Sequence, residues 1–129
     1  MQMKKSTPVI IVDAIEPVLP FWDGLGFAVT VSVPEGDRMG FAILARDAVE
    51  IMYQSKASVE KDAPGMAQGS FPSRTNLFIE VEGLAEVMAK VERAPVVIPE
   101  RRTSYGAHEY GVRAPCGTVV LFAEMEGEK

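Results

Sequence analysis

The sequence predicts an α+β fold built from two copies of one βαβββ module, and three observations carry that prediction. The apolar run Val9-Ile10-Ile11-Val12 and the run Phe78-Ile79-Glu80-Val81 lie 69 positions apart. Each precedes a helical stripe, Ile15, Val18, Leu19 and Trp22 in one case and Leu84, Val87, Met88 and Val91 in the other, again 69 apart. Residues at i, i+3, i+4 and i+7 share one face of an α-helix, so each stripe is a face to be buried. Each stripe is then followed by three short apolar runs divided by turn residues, the pattern of antiparallel strands. Two modules, about 7–54 and 75–124, joined by a link at 55–74, account for all three observations.

In chain order, Thr7-Pro8-Val9-Ile10-Ile11-Val12 is rich in β-branched side chains and too short for a helix, so it reads as a buried strand. A helix opens at Asp13 or Ala14. Pro17 fits its first turn, where backbone N–H groups have no intrahelical partner, whereas Pro20 lies further in and kinks or shortens it before Gly24-Leu25-Gly26. The runs FAVTVSV, MGFAILA and VEIMYQ supply three strands, with turns at Pro34 to Asp37 and at Arg46-Asp47. Residues 55–74 show no sustained periodicity and read as a link of the length that is usually functional or a tether. The second module gives a strand from Asn76 to Glu82, a helix from Leu84 to Arg93, and strands near Pro95 to Ile98, His108 to Arg113 and Thr118 to Glu124. Met125 to Lys129 reads as a frayed polar tail.

At 129 residues the chain is one domain of two modules, and a chain of this size buries roughly two-thirds of the surface it exposes when unfolded. The formal net charge of -5 is unfavourable for a polyanion, which excludes nucleic acid as the expected partner. No apolar run approaches the roughly 20 residues that cross a bilayer, so no membrane partner is expected. The single Cys116 forms no intrachain disulfide and no secretory segment is legible near Met1, so a reducing cytoplasm is the expected location.

Several short motifs resemble a known group when taken in order. Phe21-Trp22 with Gly24-Leu25-Gly26-Phe27, then Tyr105-Gly106, Glu109-Tyr110 and Arg113-Ala114-Pro115-Cys116-Gly117, are similar to the aromatic pair, LGF element, closing strand and DP-x-G turn of the glyoxalase/bleomycin resistance/dioxygenase superfamily, the vicinal oxygen chelate proteins. The resemblance runs from Thr7 to Glu124. It implies that each module rolls its sheet into a half-barrel with an outer helix, the two enclosing a shared cavity. It also implies a metal set in some members, with one ligand on the first and one on the last strand of each module. Those positions fall on Thr7, Ile51, Asn76 and Leu121, and none is His, Asp or Glu. A shift of one residue would put Glu50 in place of Ile51. A divalent first-row metal commonly takes three or four imidazole, carboxylate or thiolate groups, so no metal and no other cofactor is expected.

What remains of the resemblance is closest to the metal-free bleomycin-resistance-like branch, which sequesters a ligand, often as a homodimer. The implied function is metal-free binding of a small apolar or aromatic molecule, an antibiotic or an aromatic metabolite. The alternative is a metal-dependent or acid–base isomerase or lyase of the same superfamily. A third reading is an interaction domain whose cavity is filled by its own side chains. Alternation along strands places Thr7, Val9 and Ile11 with Asn76, Phe78 and Glu80 on the cavity side, and adds Ile51, Tyr53, Leu121 and Ala123 from the closing strands. Glu109 and Arg113 are the further polar candidates, and Tyr105 edges the mouth. Arg101-Arg102 could attract an anionic ligand, but a pair of arginines on a short connection reads first as solvated surface. His108 neighbours Glu109, but adjacent strand residues point apart, so the pair reads as structural rather than as base and orienter. Cys116 reads as a plain turn residue and Trp22 as core. No catalytic residue is assigned.

Overall fold

The structure, a computed structural model, describes residues 1–67 and 75–126. Strand Val9–Val12 (β1) leads through a 3-10 turn at Glu16–Val18 into helix Leu19–Gly24 (α1). Pro17 and Pro20 each stand within the first two positions of their turn, where a missing N–H forfeits no bond. They break one expected helix into two short pieces. Strands Ala28–Glu35 (β2), Arg38–Arg46 (β3) and Val49–Ser55 (β4) complete the first module.

The link carries structure that its sequence concealed. Lys56–Asp62 (α2) and Pro64–Ala67 (α3) are helical, while residues 68–74 lie outside the described part, as do residues 127–129 of the tail. The Ser55 hydroxyl caps α2 by accepting from the Ser58 amide at 3.1 Å. One side chain, Val59, is fully buried. A seven-residue helix with a single apolar anchor leaves no stripe to read, which is why 55–74 looked aperiodic.

The second module repeats the first: Leu77–Glu80 (β5), Leu84–Lys90 (α4), Val96–Arg102 (β6), Ala107–Arg113 (β7) and Val119–Met125 (β8). The sheets are ordered β1-β4-β3-β2 and β5-β8-β7-β6, each with its first strand parallel to its last and the rest antiparallel. The repeat holds at the level of single pairs. Val9 faces Met52 as Phe78 faces Leu121, the 69-residue offset intact, and across β3 and β7 the offset becomes 68, with Ala42 and Tyr110 facing Tyr53 and Phe122.

The core lies on one face of each sheet, under α1 and α4, and is continuous between modules. Trp22, Phe27, Leu44 and Tyr53 from the first join Ile79, Leu84, Val112 and Phe122 from the second. Trp22 stands edge-on to Phe27 with ring centroids 4.9 Å apart. At the start of α4, Gly83 takes φ 85, a left-handed conformation natural to glycine. The Glu124 carboxylate then accepts from the Gly83 and Leu84 amides at 2.9 and 3.3 Å, and these two bonds hold it below the usual carboxylate range. Among the described residues no helix is long and apolar enough to cross a membrane.

Inside this core the Trp22 indole N–H donates to the Tyr53 hydroxyl at 2.9 Å. Burial pushes the Tyr53 phenol up to about 12, and the bond from Trp22 opposes part of that rise. A phenol whose folded pKa is raised stabilises the fold fully below the ordinary phenol range and loses that contribution as pH climbs through about 12. Ultraviolet titration should therefore show one tyrosine ionising only near pH 12, together with unfolding, and that phase should be missing in Tyr53→Phe. The same variant leaves the indole N–H unpaired and should lose about 1–3 kcal/mol in denaturant unfolding.

Candidate functional site

Each strand sends alternate side chains to opposite faces, so fixing one residue fixes the phase of the whole strand. Tyr53 points at Trp22, and its neighbours Met52 and Gln54 therefore point to the face away from the main helices, here called the open face. One row crosses the open face of the first sheet through Val9, Met52, Ile43 and Val31, and its counterpart in the second sheet runs through Phe78, Leu121, Gly111 and Ile98. Both rows are apolar, and Phe78 is 54% exposed. Gly111 lets the second row close flat. A Cβ there would lie 2.9 Å from Ile98 Cγ1 and 3.2 Å from Leu121 Cδ1, so both side chains lean over bare backbone.

The next row differs between sheets. In the first it runs Ile11, Gln54, Phe41, Val33; in the second it runs Glu80, Ala123, Glu109, Arg101. Part of the first is roofed by α2, where Gln54 Nε2 donates to Ser58 Oγ at 3.1 Å. In the second, Glu109 is wholly buried although it is a carboxylate. Its Oε1 accepts from Arg101 Nε at 3.0 Å and pairs with Arg101 Nη2 at 2.9 Å, while its Oε2 accepts from the Tyr105 hydroxyl. The Tyr105 bond, and after it Arg101, hold the Glu109 carboxyl below the usual range against the opposing effect of burial. The same bond raises the Tyr105 phenol. Arg113, exposed on this face, is tied by Nη1 to the Gly117 carbonyl at 2.9 Å.

Of the residues picked out by sequence, Phe78, Glu80, Glu109, Arg113 and Leu121 gather on the open face of the second sheet. Asn76 is exposed and immediately precedes β5. Thr7 lies before β1, where its hydroxyl donates to Glu50 at 3.1 Å. Ile51 and Tyr53 require correction. They are 1% and 0% exposed, belong to the core under α1, and cannot line the open face. The closing strand is one residue out of the expected phase, so Glu50, Met52 and Gln54 stand where Ile51 and Tyr53 were expected. His108 is half-buried with Nε2 2.6 Å from Glu100, and Glu109 faces the other way. Cys116 sits exposed at φ 71 in the Pro115–Gly117 turn, its thiol pushed up by partial desolvation and by Asp13.

Sequence reasoning missed Met52 and the packing role of Gly111, and it weighed Arg101 only with Arg102, without its pairing to Glu109. Arg101 and Glu109 flank Tyr105 symmetrically, as a hairpin pairing would place them, and that spacing was the available signal. The corrected phase also settles whether the residues fit a metal. Thr7, Glu50, Asn76 and Leu121 offer one carboxylate, already engaged by Thr7 and, at 2.9 Å, by Lys5. Among the described residues no three His, Cys, Asp or Glu side chains converge. That donor set does not fit a first-row divalent ion.

Two grooves border the open face: one of about 410 Å³ runs between Leu25, Phe27, the Arg46–Val49 turn, Glu80 at the end of β5, and α4, and one of about 670 Å³ between α1, the end of α4, Arg113 and the Pro115–Gly117 turn. Neither includes Phe78, Leu121, Ile98 or Met52.

No family model and no curated protein matches this sequence. Solved structures do resemble the fold. A glyoxalase/bleomycin resistance protein/dioxygenase from Nocardioides is 19% identical with a TM-score of 0.72, the match covering 100% of this chain and 89% of that one. A bleomycin-binding protein complexed with bleomycin is 15% identical with a TM-score of 0.68, covering 96% and 100%. A lactoylglutathione lyase from Agrobacterium tumefaciens is 13% identical with a TM-score of 0.72, covering 95% and 94%. With its two βαβββ modules, the chain has the fold of the glyoxalase/bleomycin resistance/dioxygenase proteins.

Proposed function

We propose that the protein binds a small, largely apolar or aromatic molecule on its open faces and holds it without converting it. The observation that carries this reading is the strip Phe78, Leu121, Gly111 and Ile98, which crosses all four strands beside the Glu109, Arg101 and Tyr105 cluster. Exposed apolar side chains grouped together mark binding surfaces, and apolar lining with a few placed polar groups is the usual make-up of a small-molecule site. The bleomycin complex of a protein with this fold supports ligand capture as one use of it. Glu109 and Glu50 are already committed to partners, which favours binding over proton transfer. A chain with one cysteine suits the reducing cytoplasm as its place of work.

A second copy of the chain is proposed to cover the open surface. Strand β2 is an edge strand exposed along nearly its whole length, with Val29, Val31 and Val33 at 44%, 44% and 50%. An edge of this kind invites pairing, and a twofold dimer is the commonest closed answer. Sedimentation at micromolar concentration should show a species of twice the 14.0 kDa chain; a 14.0 kDa species alone would contradict the dimer.

Binding is tested by a thermal-shift screen of drugs and aromatic metabolites with and without EDTA, since a ligand of the native state raises its melting temperature. Hits should persist in EDTA and be recovered unchanged. Loss of every hit on chelation, or recovery of a converted product, would overturn the reading. Phe78→Ala should weaken such a hit by about 1–3 kcal/mol, with little effect on stability because the ring is half exposed.

A further inference from the structure

The two modules provide an internal comparison. Val33 faces Phe41 across β2 and β3, and at the matching place, 68 positions on, Arg101 faces Glu109 across β6 and β7. The frame is the same, and in the first sheet it is satisfied by an apolar pair. The fold therefore does not need a carboxylate at 109. Burying one is costly, and among the described residues Arg101 and Tyr105 offset that cost. Glu109 is wholly buried, while its two partners remain open to solvent, the Arg101 side chain at 52% and Tyr105 at 60%. An arrangement of this kind spends a hidden charge on fixing two surface groups.

The atoms that are fixed indicate what the surface can receive. Arg101 turns Nε and Nη2, one edge of its guanidinium, toward Glu109 Oε1. No other Arg101 partner is seen among the described residues, so the end-on edge formed by Nη1 and the outer Nη2 N–H stays available. That edge matches a carboxylate bidentately. The one other carboxylate of the row, Glu80, is three strands away, about 14 Å at roughly 4.8 Å per strand. The apolar row of Phe78, Leu121 and Ile98 lies alongside.

We propose that Arg101, held in place by Glu109 and Tyr105, receives the carboxylate of an apolar or aromatic acid whose body lies on Phe78, Leu121 and Ile98. Arg101 touches the ligand; Glu109 is a positioning residue. The proposal rests on the reading of the open face as the binding surface and adds the chemical class of its ligand.

The test is a pair of ¹⁵N-detected titrations of the full chain with sodium benzoate and with benzamide, its neutral near-isostere. Benzoate should shift the amides of Phe78, Gly111 and Leu121 saturably, with benzamide at least tenfold weaker. Arg101→Gln should lower benzoate affinity at least tenfold and leave benzamide affinity unchanged. Arg101→Lys should recover only part of the loss, because a point charge cannot form the paired contact. Glu109→Gln should weaken benzoate with Arg101 still present, and Arg101→Lys, which keeps a cation beside the buried Glu109, keeps the test readable if Glu109→Gln or Arg101→Gln misfolds. Equal binding of both probes at these amides, or undiminished benzoate affinity in Arg101→Gln, would overturn this inference while leaving the open face as a binding surface. Silence of these amides with both probes would overturn the inference, and the assignment of the open face with it.

Discussion

Trp22 donates its indole N–H to the Tyr53 hydroxyl at 2.9 Å, and the phase of the first sheet follows from that bond. With Tyr53 turned toward α1, Ile51 must share the core, and Glu50, Met52 and Gln54 must face away. Both partners are essentially unexposed, so neither polar group has water as an alternative. Slipping β4 by one residue would bury Met52 and strand an indole donor in the core. The same pairing frame, carried to the second module with Phe122 in place of Tyr53, fixes Leu121 and Ala123 on the open face without a hydrogen bond.

Duplication leaves two sheets with one backbone plan and different surfaces. The first spends its open face on an apolar row and on packing beneath α2, with Gln54 bonded to Ser58. The second keeps its apolar row and replaces the neighbouring Val33 and Phe41 by Arg101 and Glu109. Core positions in the two modules stay interchangeable in kind, as Ile10 and Ile79 or Leu44 and Val112 show. The core diverges too, with Trp22 and Tyr53 matched by Val91 and Phe122, but there it stays apolar in kind, whereas the open face exchanges apolar for charged residues, and that is where a binding surface can change while the fold is kept.

The fold was legible because its strongest signals are local and repeated. A helical stripe beside a β-branched run, found twice at one spacing, gives module, order and core helix faces. The alternation of Val49, Ile51 and Tyr53 with Glu50, Met52 and Gln54 was legible, but its apolar parity belongs to the core under α1 and not to the cavity side expected of it. Alternation separates the two faces of a strand but does not say which of two apolar environments, core or cavity, receives the apolar one. The Thr7 to Glu50 bond, which ties β4 to the chain before β1, links residues 43 apart and has no sequence signature. Helix α2 went unread because its evidence is a cap and one buried valine. Arg101 was hidden by its neighbour: Arg101-Arg102 looks like a solvated pair, yet Arg101 turns to Glu109 and Arg102 to Glu126.

The central claim is that the second sheet carries a buried carboxylate, paired with an exposed arginine, for the sake of its surface and not for its fold. It is tested most directly by the unfolding free energy of the double replacement Arg101→Val with Glu109→Phe, which gives the second sheet the pair found in the first. Replacing a buried pair by packed apolar residues is often neutral or stabilising by about 1–4 kcal/mol, and stability equal to or above that of the parent chain is the expected result. A loss of about 3–5 kcal/mol, as large as that from leaving a buried charge unpaired, would contradict the claim.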